Sequence, residues 1–498
     1  MKTELSLFER ALAVLSAAAR RYAVPIASAL VVGFAAHMYA FSNKLINADE
    51  TAALFSKGAT VTSGRWGLEL AKLIFPDVSM PWIYGVISLL LLSAAACFII
   101  ACFQLRGAAF QALFAAVFVA FPAVTANFCY MFTSSSYALA ILLASAAVYL
   151  FRLGGRRRGL AGALLLALSL GIYQAYIGLA ASLCVLLLLR LLAFSGCSAR
   201  ECLRRGVEYF LWLILALAIY YAVTLITEAL LASGYQEYEV MSGGGILRRV
   251  VTAYSAFVGI FLGENFGYVN SGLSMAAHFV CAGLIICALV TALYKQRDAA
   301  KVFLACALAA LYPLAVNCMY LIASVDIIHS LVIFGFCSFY ILAAVAAEWL
   351  SASRILRPLG ALALAVIAVC NVFFANKVYL KMQLEYENAY SFYSTLMTQI
   401  LETPGMEMYT VIDIVGNTDA GITHFDELDT HGFTGPNEDL VNTYTRASFI
   451  KYYLGLDLNL YREDVIHDFP QYDEMPCYPA EGSIAYQPQE GRIIVKLG

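Results

Sequence analysis

The sequence predicts a mainly α, polytopic helical membrane protein with a small C-terminal α/β domain, and three observations lead there. Of 498 residues, 62% are hydrophobic and only 13% are charged, at a mean hydropathy of +0.76. Soluble domains are roughly half apolar and about a quarter charged. Apolar windows recur along the first three quarters of the chain, and a helix needs about 20 such residues to cross a bilayer. Beyond residue 376 the composition turns acidic, with nineteen Asp and Glu against seven Lys and Arg.

The windows fall at 25–42, 81–103, 108–126, 135–152, 160–174, 175–194, 207–230, 272–294, 301–321, 327–350 and 357–375, about eleven spans. The first follows Arg20 and Arg21, as a signal peptide would. Its apolar run is longer than the roughly 7–15 residues of such a segment and leads into His37-Met38-Tyr39, which predicts a retained helix. The stretch 160–194 is too long for one helix and short for two. Tyr173-Gln174-Ala175-Tyr176 divides it, since polar atoms and amphipathic rings suit a membrane interface.

Lys and Arg set the orientation. Arg10, Arg20 and Arg21 precede the first span, Arg106 lies between the second and third, and Arg152 with Arg156, Arg157 and Arg158 follows the fourth. Arg200, Arg204 and Arg205, then Lys295, Arg297 and Lys301, then Arg354 and Arg357 follow the sixth, eighth and tenth. All these clusters share one side, which the positive-inside rule makes cytoplasmic. The N-terminus is then cytoplasmic, and the C-terminus and the first loop are extracytoplasmic. Net charge, at -3, says little because it is so unevenly spread. Most of the 13 cysteines lie inside apolar spans, where a thiol is a small hydrophobe. No disulfide framework is implied, and no Cys/His group has zinc spacing.

The predicted organisation is a membrane domain over 1–376 and a C-terminal domain over 377–498. Within the latter, 377–401 reads as a tethering helix. Tyr409 to Gly416 reads as a buried strand with a Gly turn, Asn442 to Leu454 as a short helix stopped by Gly455, and Ile493 to Leu497 as a final strand. Before the eighth span, Gly243-Gly244-Gly245 breaks the chain. Leu247, Val250, Val251, Tyr254, Phe257, Val258 and Phe261 then recur at three- and four-residue spacing. That is an amphipathic helix lying in the outer interface, with Arg248, Arg249, Thr252 and Ser255 on its polar face.

The outer side therefore collects Asp49 and Glu50 in the first loop, Arg65 in the Ser63-Gly64-Arg65-Trp66 turn, Tyr173 and Gln174, and Arg248 with Arg249. Carboxylates serve as general bases or metal ligands, and arginines hold phosphate bidentately. Together they suit transfer of a group from a lipid-phosphate donor to an acceptor hydroxyl. Each also has a plainer reading. The acidic pair fits a solvated loop, Arg65-Trp66 an interface anchor, Arg248 and Arg249 a snorkelling face, and Tyr173 and Gln174 helix-packing groups. Asp326 and His329 fit capping at the start of the tenth span. No Gly-rich phosphate loop appears, and no nucleic-acid partner is expected.

The carboxylate pair, the Ser63-Gly64-Arg65-Trp66 turn and Gly171-Ile172-Tyr173-Gln174-Ala175-Tyr176-Ile177 resemble the bacterial serotype-converting type II glucosyltransferase family. Gly435-Pro436-Asn437-Glu438 and Met475-Pro476-Cys477-Tyr478-Pro479 resemble the tails of its Gram-positive-type members. The resemblance implies a GT-C-like enzyme of the bacterial plasma membrane. Such an enzyme moves a hexose, expected to be glucose, from a polyprenyl-phosphate donor to a cell-surface polysaccharide or glycolipid, with inversion. It further implies that Asp49 or Glu50 supplies the catalytic carboxylate. A divalent metal is neither required nor excluded by the sequence. The rival readings are a lipid-linked sugar flippase or secondary transporter, a polysaccharide polymerase or ligase, and a non-catalytic surface protein. Transporters often carry repeated halves, and this chain contains no such repeat.

Overall fold

The computed structural model describes residues 16–231, 245–262, 264–265, 268–269, 271–322, 329–418, 425–430, 432–436, 440–461 and 469–498. Asp326, Gly243, Gly244, Asn437 and Glu438 lie outside the described residues. Among those described, ten helical segments are long and apolar enough to cross a membrane. The protein is a mainly α, multi-pass membrane protein.

The first helix, α1 (Ala23–Ser42), ends where Asn43 turns extended. A one-turn helix, α2 (Ala48–Ala52), follows, and Asn47 caps it by accepting the Glu50 N–H at 2.7 Å. A 3₁₀ turn (Val61–Ser63) and α3 (Gly67–Ala71) complete the first outer loop. Pro81 opens α4 (Pro81–Phe103), at a position where a missing N–H costs nothing. The third span is two helices, α5 (Ala108–Ala120) and α6 (Pro122–Cys129). Pro122 breaks it by removing a donor from the helical ladder. After α7 (Met131–Leu153) comes α8 (Arg156–Ile172), of 17 residues. It is shorter than any of the ten helices counted above, so the described residues hold ten such spans where the sequence predicts about eleven.

Tyr173 is extended (φ −154, ψ 116), and Gln174–Tyr176 forms a 3₁₀ turn before α9 (Ile177–Phe194). The sequence placed a division at the same four residues. Then come α10 (Ala199–Leu231), α11 (Ile246–Leu262), α12 (Gly272–Gln296), α13 (Ala299–Val316) and the short α14 (Met319–Ile322). The tenth span begins as a 3₁₀ helix at Val332 and continues as α15 (Ser338–Trp349). The last span and the tether merge into one 46-residue helix, α16 (Leu356–Leu401). At 1.5 Å per residue it is roughly 70 Å long, more than twice the hydrocarbon thickness, so half of it projects. Buried His37 ties α1 to α5 and α16, contacting the Tyr379 hydroxyl at 2.8 Å and the Val119 carbonyl at 2.9 Å.

The projecting half of α16 forms one wall of the C-terminal domain. Ala389, Tyr393, Leu396 and Ile400 pack with Ile412, Ile414, Phe449, Ile493 and Val495 in one core. The strands are β1 (Val411–Val415), β2 (Leu460–Tyr461), β3 (Ile484–Gln487) and β4 (Arg492–Lys496), in the order β2-β1-β4-β3, with β1 parallel to β2 and β4, and β3 antiparallel to β4. Among the described residues, α17 (Arg446–Tyr453) is the α-helix that packs on this sheet beside α16. Buried Arg446 joins it to the sheet by donating to the carbonyls of Ile414 and Gly416. Ile46, from the first outer loop, lies in this same core. The loop and the domain are therefore at one end of the molecule.

The basic loops gather at the other end. Glu348 accepts the N–H groups of Arg106 and Gly107, Arg152 donates to the Ala101 carbonyl, and Arg190 donates to Gln104. An open cleft of about 590 Å³ lined by Arg156, Arg204, Arg205, Glu208 and Trp212 also lies among these basic residues, away from the acidic pair.

Candidate active site

The two carboxylates of the first loop point into opposite environments. Glu50 is 0% exposed. Its Oε1 accepts from the Lys44 ammonium and the Ser79 hydroxyl, and its Oε2 accepts from the Phe132 N–H at 3.1 Å. Phe132 lies in the first turn of α7, where N–H groups have no helical partner and a negative charge is favoured. Glu50 thus caps a transmembrane helix from another loop. Lys57 holds the same residue from the opposite side, donating to the Phe132 carbonyl at 2.7 Å beneath the Tyr84 ring. Burial pushes the Lys57 ammonium down to about 8, with Asp77 and Glu50 pulling it back up.

Asp49 is exposed. The Tyr444 hydroxyl, from the C-terminal domain, donates to its Oδ1 at 3.1 Å. One residue apart on a one-turn helix, the two side chains face different ways, so the pair divides into a buried anchor and a solvent-facing carboxylate.

Arg65 lies beside the dividing turn of the fifth and sixth spans. Its Nε donates to Ser63 Oγ at 2.7 Å and its Nη1 to the Tyr137 hydroxyl at 3.1 Å. Tyr137 stacks on Tyr173 at 4.4 Å between centroids, and Tyr176 closes edge-on against both. Gln174 donates to the Ser63 carbonyl at 2.8 Å, and the Tyr220 hydroxyl to the Gly64 carbonyl at 3.3 Å. The two motifs, about a hundred residues apart in sequence, are thus parts of one structure. Trp66 packs against Gly171, where an added Cβ would sit 2.5 Å from the indole. The indole N–H is buried without a hydrogen-bond partner among the described residues, which leaves an unused donor next to Arg65.

Gly171→Val is therefore expected to push the Arg65 turn off its seat. Overpacking of this kind costs about 1–3 kcal/mol. A melting temperature in detergent that stays at the wild-type value would show that the turn does not depend on this close approach.

His329 precedes the Val332 start of its span and senses the same arginine. Burial first, and the Arg65 cation second, push its imidazole down to about 4. It is neutral at pH 7, so the fixed positive charge here belongs to Arg65. Next to it, the Ser330 hydroxyl accepts the Thr434 N–H at 3.1 Å, and the Thr434 hydroxyl meets that of Tyr130 at 2.8 Å. Gly435 (φ +109) presses against Cys129, with room for no Cβ. This explains a glycine at the head of the Gly435-Pro436 motif.

The helix α11 forms as the spacing predicts, but its inward face is only partly the predicted stripe. Arg249, Ala253, Ala256, Ile260 and Phe261 are buried and Val250, Tyr254 and Phe257 half-buried, while Leu247, Val251 and Val258 are exposed. Small residues allow close approach of helices in membranes, and here the Ala253 carbonyl accepts from Asn317 at 2.7 Å. Arg248 is exposed and Arg249 only 4% exposed. α11 packs on α12, α13 and α14 and, through Phe257 and Phe261, on Phe336 and Phe339 of the tenth span, while Arg65 is seated on Tyr137, Ser63 and the turn after α8. Among the described residues no group of three or more His, Cys, Asp or Glu is placed to hold a metal ion.

Tyr137, Tyr220, Lys57 and Tyr444 carry no motif that the sequence could have marked. Tyr444 lies 395 residues from Asp49, a separation only the folded chain closes.

The family model described as Glucosyl transferase GtrII matches residues 38–347, more than half of the chain. No curated protein and no solved structure matches. The matched segment contains the acidic pair, the Arg65 turn and α11; Tyr444 and the rest of the C-terminal domain lie beyond it.

Proposed function

The chain belongs to the GtrII glucosyltransferase family and is a membrane glucosyltransferase, and we propose that it takes its hexose from a polyprenyl-phosphate donor and transfers it to a cell-surface polysaccharide or glycolipid on the extracytoplasmic face. The observation that carries the reading is the division within Asp49-Glu50. One carboxylate is engaged by Lys44, Ser79 and Phe132, and the other is exposed at the mouth of the membrane domain with Tyr444 on a single oxygen.

In this reading Asp49 is the general base. It takes the proton of an acceptor hydroxyl as the oxygen bonds to the anomeric carbon. The bond from that carbon to the phosphate oxygen breaks, the electron pair leaves with the phosphate, and the configuration inverts. Charge developing on the leaving phosphate needs fixed donors nearby. Arg65 is the first candidate, being already oriented by Ser63 and Tyr137, with the Trp66 N–H beside it. Tyr173 and Gln174 hold that turn in place. Arg248, exposed on the interfacial helix, adds positive charge at the lipid boundary, and buried Arg249 anchors that helix. The outward placement of this end follows from the basic loops collected at the other.

The direct test incubates the purified protein in lipid with radiolabelled polyprenyl-phosphate hexose and a cell-envelope acceptor fraction. Label appearing in the acceptor supports the reading. Donor that crosses the bilayer unreacted would make the protein a flippase. Within the same assay, Arg65→Gln is expected to raise the apparent donor KM about tenfold, since a charge-assisted bond contributes about 1.5–3 kcal/mol. Arg65→Lys should rescue it only partly, because an ammonium does not reproduce the planar fork. An unchanged donor KM in Arg65→Gln would leave the arginine with its packing role alone.

A further inference from the structure

Besides Ile46, which is buried in its core, the C-terminal domain meets the first loop, among the described residues, through two pairs of exposed side chains. At one, Tyr444 donates to Asp49. At the other, Tyr452 meets Phe55 edge to face, with ring centroids 5.4 Å apart. Tyr444 just precedes α17 and Tyr452 lies near its end, so the two contacts are roughly 12 Å apart at 1.5 Å per residue. The next residue, Tyr453, turns inward against Phe449 and Tyr386. The three outward rings stay open: Phe55 is 58% exposed, Tyr444 59% and Tyr452 41%.

This open surface has a specific chemistry. Phe55 and the faces of the two tyrosines are apolar, their hydroxyls are polar, and a carboxylate lies at one end. An aromatic ring with a polar tip suits a ligand that is apolar on one face and hydroxylated around its rim. A pyranose ring has that form, with axial C–H bonds on a face and hydroxyls at the edge. A purely hydrocarbon partner would bury the Asp49 carboxylate and the Tyr452 hydroxyl away from water, at the cost that buried polar groups incur.

We infer that Phe55, Tyr444 and Tyr452 form the acceptor subsite, a shelf on which a saccharide chain lies with one hydroxyl directed at Asp49. This deepens the reading of Asp49 as base and rests on it. Tyr444 acts as a positioning residue: by holding Oδ1 it leaves Oδ2 for the acceptor hydroxyl. The donor approaches from the Arg65 side, and the acceptor from the side built by the C-terminal domain. Because Tyr444 and Tyr452 lie beyond the segment shared with the family, acceptor choice can vary with the tail while the transfer chemistry stays the same.

Two measurements test this. First, a benzophenone side chain is introduced at Tyr452 in the full-length protein and photoactivated in its native cell envelope, and the attached material is identified by mass spectrometry. Saccharide on that residue is the expected result. Phospholipid alone would make the rings a membrane-surface belt, and no adduct would leave the shelf without an occupant. Either result overturns the inference. Second, with the envelope glycan fraction as acceptor, Tyr452→Ala and Phe55→Ala should each raise the acceptor KM about tenfold, the size expected for a lost ring contact. The donor KM should stay within about twofold. Tyr452→Phe should restore most of the acceptor affinity, which a general loss of stability would not allow. Equal shifts in both constants would sink the subsite. Wild-type protein that transfers no hexose would defeat the glycosyltransfer reading by itself, whereas the cross-link still reports whether saccharide occupies the shelf.

Discussion

Replacing Asp49 by Asn is expected to slow hexose transfer by about 10²–10⁴-fold, the range a positioned general base contributes, while insertion and thermal stability stay near wild type. The substitution keeps the size of the side chain and an oxygen for the Tyr444 hydroxyl to donate to. It removes the one property the proposed mechanism requires, the ability to take a proton from the acceptor. Because Asp49 is exposed, the fold has little invested in its charge. The measurement is initial transfer rate under saturating donor and acceptor, with the melting temperature of the same preparation. Turnover close to wild type would remove Asp49 from the chemistry and leave the outer-loop pair a structural device.

The neighbouring residue should behave in the opposite way. Glu50→Ala is expected to destabilise the protein by about 3 kcal/mol, near the lower end for breaking a buried charge pair, because Lys44 keeps some access to water. It leaves the Lys44 ammonium, the Ser79 hydroxyl and the Phe132 N–H without their shared acceptor. Native proteins are stable by only about 5–15 kcal/mol, so yield and melting temperature should both fall. Transfer per folded molecule should survive far better than in Asp49→Asn. A Glu50→Ala protein that is fully stable yet inactive would reverse the two roles. Adjacent carboxylates then separate along two axes, stability and rate, in a single pair of preparations.

Much of this architecture was legible before any coordinates. Spans are long apolar runs because a bilayer leaves no water to satisfy backbone groups, which makes each crossing a local property of the chain. The break at Tyr173–Tyr176, the acidic tail, its strands at 409–416 and 493–497 and the helix α11 were readable for the same reason: they are set by neighbours in sequence. The break at Pro122 was also written in the chain, as a missing donor inside an apolar run, although the run itself reads as one span. The face that α11 turns inward was less readable. In a membrane, apolar side chains can face lipid as well as protein, so periodicity locates a stripe without saying which side is buried. Ala253 and Ala256 face the protein because they are small, not because they are the most hydrophobic residues available.

The sequence by itself determined the class of protein, the position of most of its apolar segments, and a short list of polar residues in the loops between them. The tertiary structure decided what those residues are to one another. It buried Glu50 under α7 and left Asp49 open, seated the Arg65 turn on Gly171 and Gln174, and brought Tyr444 to Asp49 from the far end of the chain. The reason lies in range. Hydropathy and helix signals act over a few turns and are written in adjacent residues. The environment of a charge depends on which distant groups pack around it, and that is settled only when the long helices dock.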